Sequence, residues 1–208
     1  MTLPYDILPA EVLAPVAAAW LARQIGQAQA ARGVAHIALS GGSTPRALFR
    51  LLAEPAWQPR IDWARTHVWW VDERCVPPDH HDSNYGAAYT LLFQHLAVTQ
   101  LHRIHGDLPP DAAADRYEEA LRHVFRLGPR ARPRFDFMLM GMGADGHTAS
   151  LFPGSAALAE RRRLATVGAA PNPPRQRVTL TLPVLNRAAF SLFLVAGADK
   201  GAALAQIF

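Results

Sequence analysis

Apolar and polar positions along the chain follow two periods, one typical of helices and one typical of strands. Apolar side chains recur every three or four residues over residues 9–32, and Gly33 then supplies a stop signal, so a first helix is expected there. Residues 35–39 are mostly apolar and short enough for a buried strand, and the leucines of residues 48–52 indicate a second helix. The chain therefore opens as helix, strand and helix.

The rest of the chain continues this alternation. Apolar runs predict strands, and the segments with helical spacing predict helices between them. We expect strands at 66–71, 135–140, 176–182 and 190–196, a short extended piece at 101–105, helices at 84–96 and 111–127, a helix followed by a loop at 156–174, and an alanine-rich helix start after Gly201. This order predicts an α/β fold: a largely parallel sheet with helices on both faces, Rossmann-like and three-layered.

Length and composition indicate a single domain over residues 1–208. With 208 residues, 50% of them hydrophobic, the chain can bury one sizeable core. No apolar run reaches the roughly 20 residues that span a bilayer, and the N-terminus, with Asp6 and Glu11, does not resemble a signal peptide, so no membrane partner is expected. The lone Cys75 fits a reducing compartment, which predicts a cytoplasmic location.

The net charge of +4 comes from twenty arginines and a single lysine, Lys200, against seventeen acidic residues. The arginine clusters at 126–134, 161–163 and 175–177 carry no interleaved aromatic residues for base stacking, so no nucleic-acid partner is expected. A net positive field still favours a small phosphorylated substrate.

Polar, glycine-containing or charged segments follow three of the apolar runs: residues 40–45, 72–74 and 141–147. Ligands of parallel α/β sheets bind at the carboxyl ends of strands, so these segments are expected to share a cleft. Ser43 or Thr44 can cap the following helix, whose free N–H groups attract phosphate. Each segment also has a purely structural interpretation. Residues 40–45 fit a plain helix start, residues 72–74 a solvated strand end, and residues 141–147 a tight turn with a surface histidine.

The string Gly-x-Gly-x-Asp-Gly-His-Thr-Ala-Ser-Leu-Phe-Pro-Gly at residues 141–154 resembles the signature of the 6-phosphogluconolactonases, in the superfamily they share with glucosamine-6-phosphate isomerases (deaminases). The Ser-Gly-Gly-Ser-Thr-Pro segment at 40–45 is similar to part of the family's substrate-binding surface. Asp-Glu-Arg at 72–74 resembles the lactonase pattern, whereas deaminases typically read Asp-Glu-Tyr. The resemblance implies cofactor-free hydrolysis of 6-phospho-D-glucono-1,5-lactone to 6-phosphogluconate, a step of the oxidative pentose phosphate pathway.

The resemblance also implies roles for residues. His147 is expected to deprotonate water for attack on the lactone carbonyl, with Asp72 and Asp145 as catalytic carboxylates and alternative candidates for orienting its ring. The N–H groups of residues 141–146 are candidates for stabilising the oxyanion, and Ser43, Thr44, Arg74 and Lys200 for holding the phosphate. The full set of expected substrate-binding residues is Gly41, Gly42, Ser43, Thr44, Arg74, Gly143, Gly146, Arg177 and Lys200.

The sequence is compatible with two other functions: a sugar-phosphate isomerase or deaminase, and a non-catalytic sugar-phosphate-binding protein. Retention of His147 and Asp72 argues against the second. The segment Asp-His-His-Asp at 79–82 has metal-ligand composition, but adjacent side chains in an extended loop are expected to diverge, so no metal site is predicted.

The resemblance leads to one further expectation at the C-terminus. The family usually continues past the helix that follows Lys200 into another strand and helix, and these elements are expected to be absent here. An exposed strand edge favours association, so a monomer or a weak homo-oligomer is predicted.

Overall fold

The computed structural model describes residues 4–208, which form six α-helices and eight β-strands. The helices are α1 (Ala10–Arg32), α2 (Pro45–Leu52), α3 (Asn84–Leu91), α4 (Pro110–Val124), α5 (Leu182–Leu185) and α6 (Gly201–Ile207). The strands are β1 (Ala35–Leu39), β2 (Thr66–Trp70), β3 (Asp72–Arg74), β4 (Leu101–His102), β5 (Phe137–Met140), β6 (Ala165–Ala169), β7 (Gln176–Leu180) and β8 (Ser191–Phe193).

A five-stranded parallel sheet forms the centre of the fold. Its strand order is β4-β2-β1-β5-β8, and every neighbouring pair is parallel. Adjacent residues of β2 face opposite sides, and each side carries a helix: the Trp69 ring lies 5.8 Å from Tyr117 of α4, and the Trp70 ring lies 5.2 Å from Tyr85 of α3. The predicted α/β fold with helices on both faces is therefore confirmed.

A second sheet of three antiparallel strands, in the order β3-β7-β6, departs from the prediction. The sequence predicts a helix and then a loop over 156–174, but the structure has a short 3-10 helix at Ala156–Ala159 followed by β6. The residues of β6 are small, and Gly168 packs so closely that a Cβ there would lie 2.7 Å from the carbonyl oxygen of Ser150. Pairing with β7 stabilises a strand that the local composition does not indicate.

Val71 connects the two sheets. Its N–H donates to the Leu39 carbonyl in the parallel sheet, and its carbonyl accepts from the N–H of Leu180 at the end of β7. The predicted strand 66–71 is thus followed at once by β3, so Asp72 and Arg74 belong to a strand rather than to a free strand end.

Several helix and strand boundaries also differ from the prediction. The helix expected over 84–96 ends at Leu91 and gives way to a 3-10 helix at Phe93–His95. The edges of the parallel sheet are β4 and β8, and Phe193 of β8 is half exposed. Within residues 4–208, none of the helices combines the length and the hydropathy that crossing a membrane requires.

Three neighbouring strands place histidines side by side beneath the C-terminal end of α4. His36 of β1 lies opposite His67 of β2, with ring centroids 4.6 Å apart, and His67 Nδ1 lies 2.9 Å from His102 Nε2. Burial lowers the pKa of His36 to about 3 and that of His102 to about 4, and it lowers the pKa of His67 as well. We call these three residues the histidine ladder; they are neutral in the folded protein at neutral pH.

Candidate active site

A cleft of about 710 Å³ opens at the carboxyl ends of the parallel strands. The loops after β1, β5 and β8 form much of its wall, and residues of β3 and β7 complete it. Among the predicted site residues, those that line the cleft are Gly41, Gly42, Ser43, Thr44, Asp72, Arg74, Gly143, Asp145, His147, Arg177 and Lys200. Gly146 does not line it.

The side chain of His147 is held by its neighbour in sequence Asp145. His147 Nδ1 lies 2.5 Å from Asp145 Oδ1, and the imidazole ring packs over Phe152 with centroids 4.2 Å apart. Burial acts to raise the pKa of Asp145, but hydrogen bonds from the ring and backbone of His147 outweigh it and lower that pKa below its usual range. An ionised carboxylate on Nδ1 leaves Nε2 as the nitrogen that can accept a proton.

The His147–Asp145 pair leaves no room for a side chain at Gly143. A Cβ at residue 143 would lie 2.1 Å from His147 Nδ1 and 2.6 Å from Asp145 Oδ1. The Gly143 N–H donates to the His147 carbonyl at 2.8 Å, and the Gly146 N–H donates to the Gly143 carbonyl at 3.1 Å. The expectation that the N–H groups of 141–146 serve the oxyanion is therefore wrong for these two glycines, because both donors are used within the loop.

The loop Gly41–Thr44, after β1, leaves its donors available. Among residues 4–208, its four N–H groups find no acceptor, and the hydroxyl of Thr44, the N-cap residue of α2, makes no capping hydrogen bond. The predicted side-chain cap is thus absent. Backbone N–H groups and hydroxyls at a helix start form a suitable cradle for phosphate oxygens.

Two arginines face each other across the second sheet. Arg74 of β3 is directly opposite Arg177 of β7, and both line the cleft. Burial, followed by the nearby charge of Arg74, lowers the pKa of Arg177. Arg74 Nη1 donates to the Asp82 carbonyl at 2.6 Å, while the buried Nε atoms of both arginines lack an acceptor within the described residues. Two close guanidinium groups with spare donors favour binding of a multiply charged anion.

Asp72 is hydrogen-bonded to groups other than His147. Its Oδ2 accepts from Ser150 Oγ at 2.7 Å, and its Oδ1 accepts from Asn84 Nδ2 at 3.3 Å. Of the two carboxylates that the sequence offers for orienting the imidazole, Asp145 is therefore the one in contact with it, and Asp72 connects the His147 loop to α3.

Lys200 lines the cleft on the side of β8. It ends a 3-10 helix at Ala198–Lys200, immediately before α6, and its Nζ lies 2.7 Å from Asp199 Oδ2. The ammonium group thus stands at the cleft, as the family resemblance implies, but with a carboxylate beside it.

The side chains of His80, His81 and Asp82 converge instead of diverging. The two imidazole rings stack with centroids 4.2 Å apart, and the Asp82 carboxylate lies 3.4 Å from His81 Nε2 and 3.8 Å from His80 Nδ1. One ligand atom from each lies within 4.8 Å of the others. The predicted divergence of these side chains is therefore wrong, and independence from metals stays a prediction.

Comparison with known families agrees with this cleft and its motifs. The family model described as glucosamine-6-phosphate isomerases/6-phosphogluconolactonase matches residues 9–208. The chain belongs to this family.

Relatives named 6-phosphogluconolactonase are similar over most of the chain. A probable chloroplastic 6-phosphogluconolactonase 3 of Oryza sativa subsp. indica is 40% identical over 207 residues, which cover 95% of this chain and 63% of the relative. A 6-phosphogluconolactonase of a Nostoc species is 44% identical over 83% of this chain and 70% of its own length. The chain thus spans less than two thirds of the length of the rice relative.

Solved structures show the same fold. A 6-phosphogluconolactonase from Trypanosoma cruzi superposes with a TM-score of 0.85 at 30% identity, covering 95% of this chain and 81% of that one. One from Shewanella baltica gives a TM-score of 0.82 at 30% identity, covering 96% and 83%.

Sequence reasoning missed two cleft residues of this family member. Asn84 and Ser150 line the cleft and hydrogen-bond to Asp72, yet the sequence showed them only as parts of motifs. The sequence carries no signal that both are buried, and burial is what requires their polar groups to be hydrogen-bonded to specific partners.

Proposed function

We propose that this chain hydrolyses 6-phospho-D-glucono-1,5-lactone to 6-phosphogluconate, the lactone-opening step of the oxidative pentose phosphate pathway. The observation that carries the proposal is the His147–Asp145 pair, which faces into a cleft whose other residues include Arg74, Arg177 and Lys200. A proton acceptor opposite a cluster of cations suits an anionic ester. The names of the similar proteins, from rice to Trypanosoma cruzi, support the same reaction.

In the proposed mechanism His147 acts as a general base and then as a general acid. Its Nε2 takes a proton from water while the water oxygen bonds to the lactone carbonyl carbon, which produces a tetrahedral oxyanion. The ring C–O bond then breaks, and the imidazolium returns its proton to the leaving ring oxygen. Asp145 stabilises the imidazolium between these steps through Nδ1.

The oxyanion needs donors that the loop after β5 has not already used. With the N–H groups of Gly143 and Gly146 engaged, those of Met142 and Ala144 remain without an acceptor among residues 4–208, and both residues line the cleft. We assign the oxyanion to this side of the cleft.

The substrate phosphate is proposed to bind at the opposite side. Ser43 and Thr44 supply hydroxyl and backbone donors, Arg74 and Arg177 supply guanidinium groups, and Lys200 supplies an ammonium group. The dianion relieves the repulsion between the two facing arginines, and this relief favours a phosphorylated lactone over an unphosphorylated one.

The test is an assay of lactone disappearance, corrected for spontaneous hydrolysis, beside an assay of ammonia release from glucosamine 6-phosphate. Enzymatic lactone hydrolysis without ammonia release is the expected result. Ammonia release would favour the deaminase alternative, and tight binding of 6-phosphogluconate without turnover would favour the binding-protein alternative.

We also propose that the protein acts without nucleic-acid or membrane partners, in the cytoplasm, as a monomer or weak homo-oligomer. The location rests on the single Cys75, which fits a reducing compartment, and the weak association on the half-exposed edge strand β8. Sedimentation at micromolar concentration tests the oligomeric state.

A further inference from the structure

Asn84 lies between two parts of the cleft that the sequence does not connect. It is the first residue of α3 and is 3% exposed. Its Nδ2 donates to the Asp72 carbonyl oxygen at 3.0 Å and to Asp72 Oδ1 at 3.3 Å. The opposite end of the same amide faces Gly41, where a Cβ would lie only 1.8 Å from Asn84 Oδ1 and 2.2 Å from Cγ.

The amide of Asn84 has little freedom to retreat from Gly41. Its backbone N–H donates to Glu73 Oε1 at 2.8 Å, and the N–H of Tyr85 donates to Glu73 Oε2 at 2.8 Å. Ser83 Oγ donates to the same carboxylate and accepts from the N–H of Gly86. The buried Glu73 therefore fixes the start of α3, and with it the Asn84 side chain, against β3.

We propose that Asn84 is a positioning residue that sets the place of the Gly41–Thr44 loop relative to Asp72. The Asn84 amide occupies the volume that any side chain at residue 41 would fill. The loop can therefore lie this close to Asn84 only with glycine at residue 41. The N–H groups and hydroxyls of Gly42, Ser43 and Thr44 then face the cleft. That these donors receive the substrate phosphate rests on the proposed function.

The test is a double-mutant cycle of Gly41→Ala, Asn84→Ala and the double variant, with the Kd of 6-phosphogluconate measured by titration calorimetry. Gly41→Ala should weaken binding at least about tenfold because the new methyl group displaces the loop. Asn84→Ala should weaken it less. The double variant should bind more tightly than Gly41→Ala alone, because removing the amide relieves the two shortest contacts of the new methyl group and leaves only the contact with the Cβ of residue 84 at 2.9 Å.

Kinetics of the same variants separate positioning from general loss of structure. Gly41→Ala should raise KM by a larger factor than it lowers kcat, since His147 is on another loop. Gly26→Ala in α1, where a Cβ, unlike one at residue 41, meets nothing within 4 Å, is the matched control and should leave Kd unchanged in both the wild-type and the Asn84→Ala backgrounds.

Additive penalties at 41 and 84, or a double variant weaker than either single variant, would overturn the proposal. If the wild-type protein binds no 6-phosphogluconate, the proposed function fails instead. The double-mutant cycle then uses the stability of each variant, measured as its urea unfolding midpoint at constant m-value. Recovery of stability in the double variant would then still support the contact, and additivity would reject it.

Discussion

The histidine ladder should make the protein lose stability as the pH falls from 7 to 5. His36 has a pKa of about 3 in the folded state, first because of burial, then because protonating it beside His67 and His102 would place positive charges together, and finally because of the charge of Arg32. An unfolded histidine titrates near 6.5, so the unfolded chain binds more protons below that pH, and stability is lost as the pH falls. The pH of 5 lies about 1.5 units below the unfolded pKa of 6.5, so His36 alone lowers the free energy of unfolding at pH 5 by about 2 kcal/mol.

His36→Phe is the variant that isolates this contribution. The ring already packs against Phe125 in a tilted arrangement with centroids 4.3 Å apart, so phenylalanine keeps the packing while removing the titration. Urea unfolding followed by circular dichroism at pH 7 and pH 5 gives the free energy of unfolding for each protein. The variant should lose about 2 kcal/mol less than the wild type over this range, and His123→Gln, at an exposed histidine on α4, should lose as much as the wild type. Equal losses in the wild type and His36→Phe would mean that His36 is protonated in the folded state, which would refute the reasoning.

Three other predictions concern the cleft. His147→Asn should lower kcat by a factor of ~10² to 10⁴ while 6-phosphogluconate still binds, since a positioned base contributes that much. A folded variant with near-normal kcat would instead make Asp72 the candidate base. Arg74→Ala or Lys200→Glu should weaken 6-phosphogluconate binding in calorimetry by ~1.5 to 3 kcal/mol each, and unchanged affinity in both would remove them from the phosphate site. Dialysis against EDTA should leave lactone hydrolysis intact, whereas loss of activity that zinc or magnesium restores would contradict the mechanism.

Elements with strong local signals could be predicted from the sequence. The strand Ala35–Leu39 and the helix Ala10–Arg32 match the prediction closely, because a short, mostly apolar run marks the strand and a clear stop signal ends the helix. The strand Ala165–Ala169 could not be predicted, since its small residues carry no alternation and its stability comes from pairing with β7.

The candidate site likewise has features that could be predicted from the sequence and features that could not. Which loops meet follows from strand order, so most of the predicted residues do line one cleft. Which donors remain free depends on hydrogen bonds within each loop, and the sequence of Gly143 and Gly146 does not show that their N–H groups are used. Likewise, Gly41 and Gly143 resemble ligand-approach glycines, but each is needed because another side chain packs against it.

The transfer of the chain at Val71 from one sheet to the other has a consequence for how this scaffold can diversify. His147, the proposed general base, stands on a loop of the parallel sheet, while the arginines that face each other belong to the separate antiparallel layer. Substitutions at Arg74 or Arg177, the proposed phosphate ligands, can therefore change which anion binds with little disturbance of the imidazole. In an engineering campaign, Arg74 and Arg177 are the positions to randomise for new substrates, with Asp72 and Gly168, which contact Ser150 in the His147 loop, kept constant.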